Sequence, residues 1–233
     1  MKIQFTSDLH LEMRSQFNLE KTDSDVIVLA GDIHGGIRGL EFVQNIINNH
    51  EKPVIYVAGN HEFYQHDFDE VLASLREEAD KIEGCYFLEN DELVLGDTRF
   101  LGATLWTDFK GNGTISQSRN MEYIAAHLND HHVIRRDGGR FMPKHALNLH
   151  QTSRQWLDEQ LNMPFEGQTV VVTHHGPSLI CQHKSYPVID SMTTGFLSHM
   201  DDLVEKADLW IYGHSHSNLD EHIGQCRVVS NQT

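Results

Sequence analysis

The chain has 233 residues, of which 39% are hydrophobic, and this is enough for one large domain or two small ones with a substantial core. It carries 34 acidic and 18 basic residues, and the resulting formal charge of −16 disfavours binding to the phosphate backbone of nucleic acids. A small anionic substrate is compatible with this charge if a metal ion or a local cation offsets it. Histidine is unusually frequent, with 17 residues, which indicates either tuning of the surface charge or metal ligation.

The three cysteines and the first residues predict where the protein works. Cys85, Cys181 and Cys226 are far apart and form no C-x-x-C motif, so the sequence indicates neither a thiolate zinc site nor a disulfide framework. The chain begins directly with a strand-like run, without the basic and apolar regions of a signal peptide. No apolar stretch approaches the roughly 20 residues needed to span a bilayer. We therefore expect a cytoplasmic protein with no membrane partner.

The first third of the chain alternates predicted strands and helices. Short apolar runs predict strands at Lys2–Thr6, Val26–Ala30 and Val54–Ala58. Ile37–His50 and Asp67–Ile82 have apolar residues at spacings of three and four, which is typical of amphipathic helices. This order predicts an α/β fold with right-handed crossovers. Because several of the strands are apolar at consecutive positions, we expect them to be buried on both faces.

The middle of the chain predicts a different strand arrangement. Cys85–Glu89, Glu92–Leu95 and Thr98–Leu105 are short strands separated by turns, and they predict an antiparallel meander. Further strands are predicted at Thr169–Thr173 and Asp208–Tyr212. We therefore expect a mixed sheet.

Residues 107–150 interrupt this pattern with glycines and weak periodicity, although Ser118–Leu128 shows some helical spacing. Long irregular segments in compact domains are usually functional or disordered, so we predict an inserted cap, with a passive surface excursion as the alternative. Helices are predicted again at Thr152–Leu161 and His199–Lys206. The predicted organisation is a single domain over residues 1–233 with a cap insertion at about 107–150.

Polar residues directly follow five of the predicted strands. They are Ser7-Asp8-Leu9-His10, Gly31-Asp32, Gly59-Asn60-His61-Glu62, His174-His175-Gly176-Pro177 and Gly213-His214-Ser215-His216. The carboxyl ends of parallel strands lie along one edge of a sheet, where ligands bind. We therefore expect these side chains to converge in one cleft.

The residue types in this predicted cluster indicate metal ions. Several carboxylates and imidazoles beside a core are costly to bury unless a cation compensates them. Asp8 and His10 are two positions apart and face the same side of a straight strand, and His214 and His216 repeat that spacing. Asp32 has two carboxylate oxygens and can bridge two ions. Nitrogen and oxygen donors suit manganese, iron, zinc, nickel or cobalt, and we expect two divalent ions per chain, with manganese first among them.

The five motif blocks, in this order, resemble those of the calcineurin-like metallophosphoesterase superfamily over residues 8–216. The resemblance implies a four-layer α/β/β/α sandwich of two mixed sheets flanked by helices, with a dinuclear metal centre at one sheet edge. It implies two ligand sets, namely Asp8, His10, Asp32 and His216 for one metal, and Asp32, Asn60, His174 and His214 for the other. His175 is the alternative to His174. The third block ends in Glu62 where many relatives have Asp, and the fourth reads His-His-Gly-Pro where others have His-His-Pro-Pro, but neither difference removes a ligand.

The same resemblance implies a metal-dependent phosphoric ester hydrolase, in which a metal-bridging hydroxide attacks phosphorus. It implies that His61 contacts the substrate, and we expect this residue to protonate the leaving oxygen, with Asp32 or Glu62 holding its tautomer. His61 and Asp32 are therefore the predicted catalytic residues. A non-catalytic scaffold with the same fold is the distant alternative, because every motif position is filled.

The predicted substrate is a small phosphorylated molecule. Arg14, Arg38 and His175 lie close in sequence to the motif blocks and are the candidate substrate-binding residues. A phosphodiester is favoured, because proton donation by His61 suits a poor alkoxide leaving group. The alternatives are a phosphomonoesterase, including a protein phosphatase, and a nucleotide pyrophosphatase. The negative charge disfavours nuclease activity.

Overall fold

In the computed structural model, which describes residues 1–14 and 17–233, two β-sheets pack face to face between two layers of helices. Three apolar clusters separate the four layers. One lies between the sheets and the others lie under the helices on their outer faces. The predicted four-layer α/β/β/α sandwich is confirmed.

The first sheet carries the amino-terminal half of the fold. Its strands, in spatial order, are β1 (Ile3–Thr6), β2 (Val26–Ala30), β3 (Val54–Val57) and β4 (Cys85–Phe87). All neighbouring pairs are parallel. The prediction that both sheets are mixed is therefore wrong for this sheet. Its crossover helices are α1 (Gly39–His50) and α2 (Phe68–Ala79). The side chain of Asp67 accepts hydrogen bonds from two backbone N–H groups of α2 and caps that helix.

The predicted three-stranded meander is wrong in its first strand. β4 pairs with β3 in the first sheet, whereas β5 (Asp91–Leu95) and β6 (Thr98–Ala103) form an antiparallel hairpin in the second. The chain crosses between the sheets at Leu88 and Glu89. Leu88 is buried in the cluster between the sheets, and the buried Glu89 carboxylate accepts hydrogen bonds from Thr104 N and Oγ1 at 2.8 and 2.7 Å. These contacts hold the chain where it passes from the first sheet to the second. The spacing of turns in the sequence does not indicate that the chain changes sheets there.

Residues 107–150 are more regular than predicted. This part of the chain forms α3 (Gln117–His127), α4 (Asp130–Val133), the short hairpin of β7 (Arg135–Arg136) and β8 (Gly139–Arg140), and the start of α5 (Pro143–Leu161). Several of its apolar side chains join the cluster that covers the outer face of the first sheet, namely Phe109, Ile124, Ile134, Phe141 and Ala146. The segment is therefore packed into the domain.

The second sheet is mixed, as predicted. The remaining elements are β9 (Gln168–Thr173), α6 (Asp201–Val204), β10 (Leu209–Ile211), β11 (Leu219–Ile223) and β12 (Cys226–Ser230). The strand order is β11-β12-β10-β9-β6-β5, with the two outer strands antiparallel to the parallel inner four. None of the helices in the described residues has the length and apolar character to cross a membrane.

Candidate metal centre

The side chains that follow β1, β2, β3, β9 and β10 meet at one edge of the sandwich. The side chains form three groups, and within each group the potential ligand atoms lie within 4.8 Å of one another. The groups are Asp8, His10 and His216; His10, Asp32 and His61; and Asp32, His174 and His214. Asn60 joins the last group, since its Oδ1 lies 3.0 Å from His174 Nε2. The structure thus brings together all seven residues for which the family resemblance implies metal ligation.

Left-handed turns, rather than strand alternation, aim these side chains at one another. Asp8, His10, Asp32, His214 and His216 lie beyond the ends of their strands and have φ values between 45° and 67°. Non-glycine residues adopt this conformation rarely, and each instance costs of order 1 kcal/mol or more. The expectation that the D-x-H and H-x-H pairs lie on straight strands is therefore wrong, although the pairs do converge.

The first group is built around a fully buried carboxylate. Asp8 accepts hydrogen bonds from Ser7 Oγ and from the backbone N–H of His214, and burial raises the pKa of Asp8 to about 6. His216 Nε2 lies 3.5 Å from Asp8 Oδ1 and 3.3 Å from His10 Nε2. His10 Nε2 also lies 3.9 Å from Asp32 Oδ2, while its buried Nδ1 lies 3.5 Å from Glu12 Oε1. This arrangement leaves several donor atoms facing one point.

The second group is more deeply buried. His174 donates from Nδ1 to the carbonyl oxygen of Ala30 at 2.8 Å, so that Nε2 points at Asp32 Oδ1, 3.3 Å away. Burial alone would lower the pKa of His174, but Asp32 and Asp8 raise it to about 10. Burial and the neighbouring histidines hold the pKa of His214 well below its usual range, and its Nε2 has no hydrogen-bond partner.

These donors fit two divalent cations. Buried polar atoms are nearly always paired in native proteins, so the unpaired Nε2 of His214 indicates a ligand at that position. Imidazole nitrogens with carboxylate and amide oxygens suit the borderline first-row metals. Asp32 belongs to two of the three groups, so its carboxylate joins the candidate ligands around His10 to those around His174 and His214.

His61 lies at the exposed rim of this cluster. Its side chain is 21% exposed, its Nε2 lies 4.0 Å from Asp32 Oδ2, and its backbone N–H donates to Asp32 Oδ1 at 2.8 Å. The ring stacks on Tyr64, with centroids 4.1 Å apart. Burial alone would lower the pKa of His61, but the hydrogen bond that the ring donates to Glu12 and the charges of Asp32, Glu12 and Glu62 raise it.

The predicted partner of the His61 ring needs correction. Glu62 is fully buried, and its carboxylate accepts hydrogen bonds from the backbone N–H groups of Asp32, Ile33 and Gly59 and from the hydroxyl of Tyr56, at 2.7–3.0 Å. Glu62 therefore ties the turns after β2 and β3 together and has no oxygen left for the ring.

The His61 ring instead contacts Glu12, which the sequence motifs did not indicate as a site residue. Glu12 Oε1 lies 3.0 Å from His61 Nδ1, and the pKa of Glu12 falls to about 2 because His10 and His61 outweigh the effect of burial. The available signal was the continued spacing of two from Asp8 and His10 to Glu12.

Of the predicted substrate-binding residues, His175 lies beside the cluster, with its ring centroid 4.3 Å from that of His214. His175 is 1% exposed and donates from Nδ1 to the carbonyl oxygen of Thr104 at 3.1 Å, and burial together with His174 lowers its pKa to about 3. Arg14 and Arg38 are exposed, and neither belongs to the cavities described next.

Two cavities open on the cluster. The first has a volume of about 380 Å³ and includes Gln182, His183, Tyr186, Val188, Asp190 and Thr193 in its lining. The second has a volume of about 430 Å³ and includes Asp32, Asn60, His61, Tyr64, His127, Leu128 and Asn129. They share Met192, Phe196, His214 and His216. The two spaces therefore adjoin each other at His214 and His216 of the candidate metal centre.

Comparison with known proteins identifies the family. A family model described as calcineurin-like phosphoesterase matches residues 1–218. The chain belongs to the calcineurin-like phosphoesterase family. As a calcineurin-like phosphoesterase, the protein is a metal-dependent phosphoric ester hydrolase, and the family uses a dinuclear metal centre.

The relatives of this phosphoesterase are distant in sequence. Uncharacterized protein L509 of Acanthamoeba polyphaga mimivirus is 25% identical over 92% of this chain and 84% of its own length. The phosphopantetheinyl hydrolase of Mycobacterium tuberculosis has a TM-score of 0.75 at 15% identity, over 100% of this chain and 89% of that one. A dimetal phosphatase from Danio rerio has a TM-score of 0.56 at 15% identity, over 98% and 86%. At such identities the solved structures support the fold alone.

Proposed function

We propose that the protein is a dinuclear metal-dependent phosphodiesterase that acts on a small phosphodiester. The observation that carries this proposal is the pair of adjoining cavities that share His214 and His216 of the candidate metal centre. A phosphodiester has two ester arms, and phosphorus bound at the centre directs one arm into each cavity. A phosphomonoester has one arm and leaves one of the two spaces without substrate.

The charges around the cavities agree with a diester. Their walls consist of apolar, aromatic, hydroxyl, amide and histidine side chains together with two carboxylates, Asp190 and Asp32. A diester carries one negative charge, whereas a monoester dianion carries two. The diester is therefore repelled less by Asp190, which is not one of the proposed metal ligands, and by the overall charge of −16.

The first cavity favours an arm rich in carbon. Tyr186 and Val188 on its wall are each 70% exposed, and Phe196 stacks on His214 with centroids 4.6 Å apart. Covering such side chains with an apolar or aromatic ester group stabilises the bound state. The name of the Mycobacterium tuberculosis neighbour is a reason to include phosphopantetheinyl esters among the substrates tested.

The proposed ligand sets combine the resemblance and the observed groups. Asp8, His10, Asp32 and His216 would hold one cation, and Asp32, Asn60, His174 and His214 the other, with manganese as the first candidate. When bound, two such cations acidify a water molecule and offset the charge of the phosphate oxygens.

The proposed role of His61 is to protonate the leaving group. As a water oxygen bonds to phosphorus, the bond from phosphorus to the ester oxygen breaks and its electron pair stays on that oxygen. The proton on His61 Nε2 passes to this oxygen, and the ring is left neutral with its proton on Nδ1. The position of His61 in the second cavity supports this role, because the departing arm lies there.

We also propose that residues 107–150 act as a cap within a single domain. His127, Leu128 and Asn129 of this segment line the second cavity opposite His61. A cytoplasmic setting is part of the same proposal, since the three cysteines are free and buried, which suits a reducing compartment.

A paired assay with a blocked cavity tests the choice between diester and monoester. The protein is stripped with chelator and reloaded with manganese, and hydrolysis of bis(p-nitrophenyl) phosphate and p-nitrophenyl phosphate is measured. We expect the diester to have the higher kcat/KM. Val188→Trp fills the first cavity and should lower diester kcat/KM by about tenfold or more, with a smaller effect on the monoester.

Val94→Trp is the matched control, because Val94 is also exposed but lies on the edge strand β5. It should leave both rates unchanged. Preference for the monoester, or equal loss on both substrates in Val188→Trp, would overturn the diester assignment. No turnover of either ester together with no bound metal would favour the scaffold.

A further inference from the structure

We propose that Glu12 is a positioning residue that selects the ring orientation from which His61 protonates the leaving group. This inference rests on the proposed function, since it assumes proton donation by His61. The carrying observation is the 3.0 Å contact between Glu12 Oε1 and His61 Nδ1, made by two partly exposed side chains at the rim of the candidate metal centre.

The turn that carries Glu12 is itself held in place. The backbone N–H groups of His10 and Leu11 donate to the carbonyl oxygens of Asp32 and Ile33, each at 3.0 Å, and Met13 N–H donates to His10 O at 2.8 Å. The first two bonds fasten the residues before Glu12 to the turn after β2, and the third closes the turn that contains Glu12. The carboxylate therefore reaches His61 from a fixed backbone.

The ring of His61 has a choice of two orientations that stacking does not decide. Tyr64 packs on the ring with an interplanar angle of 24°, and His10 meets it at 65° with centroids 4.3 Å apart. These contacts hold the plane of the ring. Rotation by 180° about the Cβ–Cγ bond keeps that plane but exchanges each ring nitrogen with a carbon.

The hydrogen bond to Glu12 removes this freedom. With Nδ1–H donated to Glu12, the other nitrogen lies on the cluster side, where Nε2 is 4.0 Å from Asp32 Oδ2. Rotation of the ring would lose the bond to Glu12 and direct a carbon atom at the leaving oxygen. Glu12 thus favours the orientation that is competent for proton transfer, as carboxylates do for other histidines.

The other two nearby carboxylates cannot take this role. Asp32 is on the Nε2 side of the ring, and its Oδ1 accepts the backbone N–H of His61. Glu62 already accepts four hydrogen bonds from the turns after β2 and β3 and from Tyr56. Glu12 is therefore the carboxylate whose removal changes ring orientation while leaving these bonds in place.

Leaving-group dependence separates positioning from general structural support. Manganese-loaded wild type, Glu12→Gln, Glu12→Asp, His61→Gln and the double variant Glu12→Gln/His61→Gln are compared on two matched diesters. Bis(p-nitrophenyl) phosphate releases an acidic phenol that needs no proton, whereas diphenyl phosphate releases a more basic one. Bound manganese is measured by elemental analysis in every variant, because Glu12 Oε1 also lies 3.5 Å from His10 Nδ1.

For Glu12→Gln we expect kcat on diphenyl phosphate to fall about 10- to 100-fold, with a loss of about threefold or less on the nitrophenyl diester and unchanged manganese content. The double variant should lose no more than His61→Gln alone, because both changes remove the same function. Glu12→Asp, which keeps the carboxylate, should recover part of the rate. Glu20→Gln, an exposed glutamate further along the same connection, is the control and should match wild type.

Equal losses on the two diesters, additive losses in the double variant, or loss of manganese from Glu12→Gln would overturn the inference. A wild-type protein that binds manganese but hydrolyses neither diester would instead contradict the proposed function, so the two failures are distinguishable.

Discussion

At the scale of single residues, the candidate metal centre depends on a position where no side chain larger than that of glycine fits. Gly59 lies against two of the side chains that form the cluster. A Cβ atom built there would overlap the Asp32 carboxylate and stand 2.7 Å from His174 Cε1. Asp32 is itself held by the turn around Glu62, so it has little room to move away.

Gly59→Ala should therefore cost metal affinity more than overall stability. The added methyl group displaces the Asp32 and His174 side chains, and we expect at least a tenfold weaker binding of manganese together with loss of diester hydrolysis. Isothermal titration of chelator-stripped protein measures the affinity. Gly96→Ala is the control, because a Cβ atom there meets nothing within 4 Å, although its φ of +61° adds local strain. Unchanged manganese affinity in Gly59→Ala would contradict this account of the turn.

The convergence of the candidate ligand residues could be predicted at this scale because their chemistry is concentrated in five short motifs directly after strands. Glu12 could not be predicted with them. Its role depends on a ring that lies 49 residues away in the chain and on Glu62 being occupied elsewhere. The burial of His175 likewise depends on Thr104, which lies at the end of a different strand.

At the scale of elements, residues 107–150 are linked to the metal centre through one buried side chain. Asp130 opens α4 and is 1% exposed. Its Oδ1 accepts hydrogen bonds from Asn60 Nδ2 at 2.9 Å and from the Tyr64 hydroxyl at 2.7 Å. Holding the amide nitrogen of Asn60 in this way directs its Oδ1 toward His174, so the segment helps to orient a candidate ligand.

Asp130→Ala should weaken one of the two cation positions. Without the acceptor, Asn60 Nδ2 keeps only its 3.2 Å hydrogen bond to the Tyr64 hydroxyl, and second-sphere losses of this kind typically cost about 10- to 100-fold in metal affinity. We expect a manganese titration to show one site weakened and the other little changed. Glu122→Ala, an exposed change on α3 of the same segment, should preserve both. If Asp130→Ala binds both ions as wild type does, the proposed link is wrong.

Helices and strands were predictable where the periodic pattern of apolar residues was strong. They were less predictable where tertiary contacts determine the pairing of a strand or the extent of a helix. The first two helices and the strands that end in motifs were found within a few residues. The strand that pairs with β4 was not predicted, because a three-residue strand can pair with either sheet. The crossing of the chain at Leu88 determines which sheet β4 joins. Within residues 107–150, the helical spacing at Ser118–Leu128 corresponds to α3. That spacing is weak because α3 buries only Asn120 and Ile124, which is too few for a clear apolar stripe, and α4 was missed because it is a single turn.

At the scale of the whole molecule, buried histidines tie stability to pH. His131 and His150 are 2% and 1% exposed, and burial lowers the pKa of both. His131 donates to the carbonyl oxygen of Phe141 at 2.8 Å, whereas His150 Nε2 has no partner. Below the unfolded pKa of about 6.5, the unfolded chain binds protons that the folded chain refuses.

The contribution of neutral His131 and His150 to the free energy of unfolding should therefore be fully present above about pH 6.5 and decrease as the pH falls below it. Each such histidine contributes at most about 1.4 kcal/mol per pH unit to the free energy of unfolding. His150→Gln removes one of these groups and should give a shallower decrease between pH 7.5 and 5.5 than wild type, in urea unfolding of the manganese-loaded proteins. Parallel curves would show that His150 does not resist protonation in the folded state.

The central claim is that this sheet edge holds two cations that act together on a phosphodiester. The most direct measurement titrates manganese into the chelator-stripped protein and records bound metal per chain and hydrolysis of bis(p-nitrophenyl) phosphate in the same samples. We predict that activity rises with occupancy and reaches its maximum at two manganese ions per chain. Full activity at one ion per chain, or activity that persists in the stripped protein, would contradict the account.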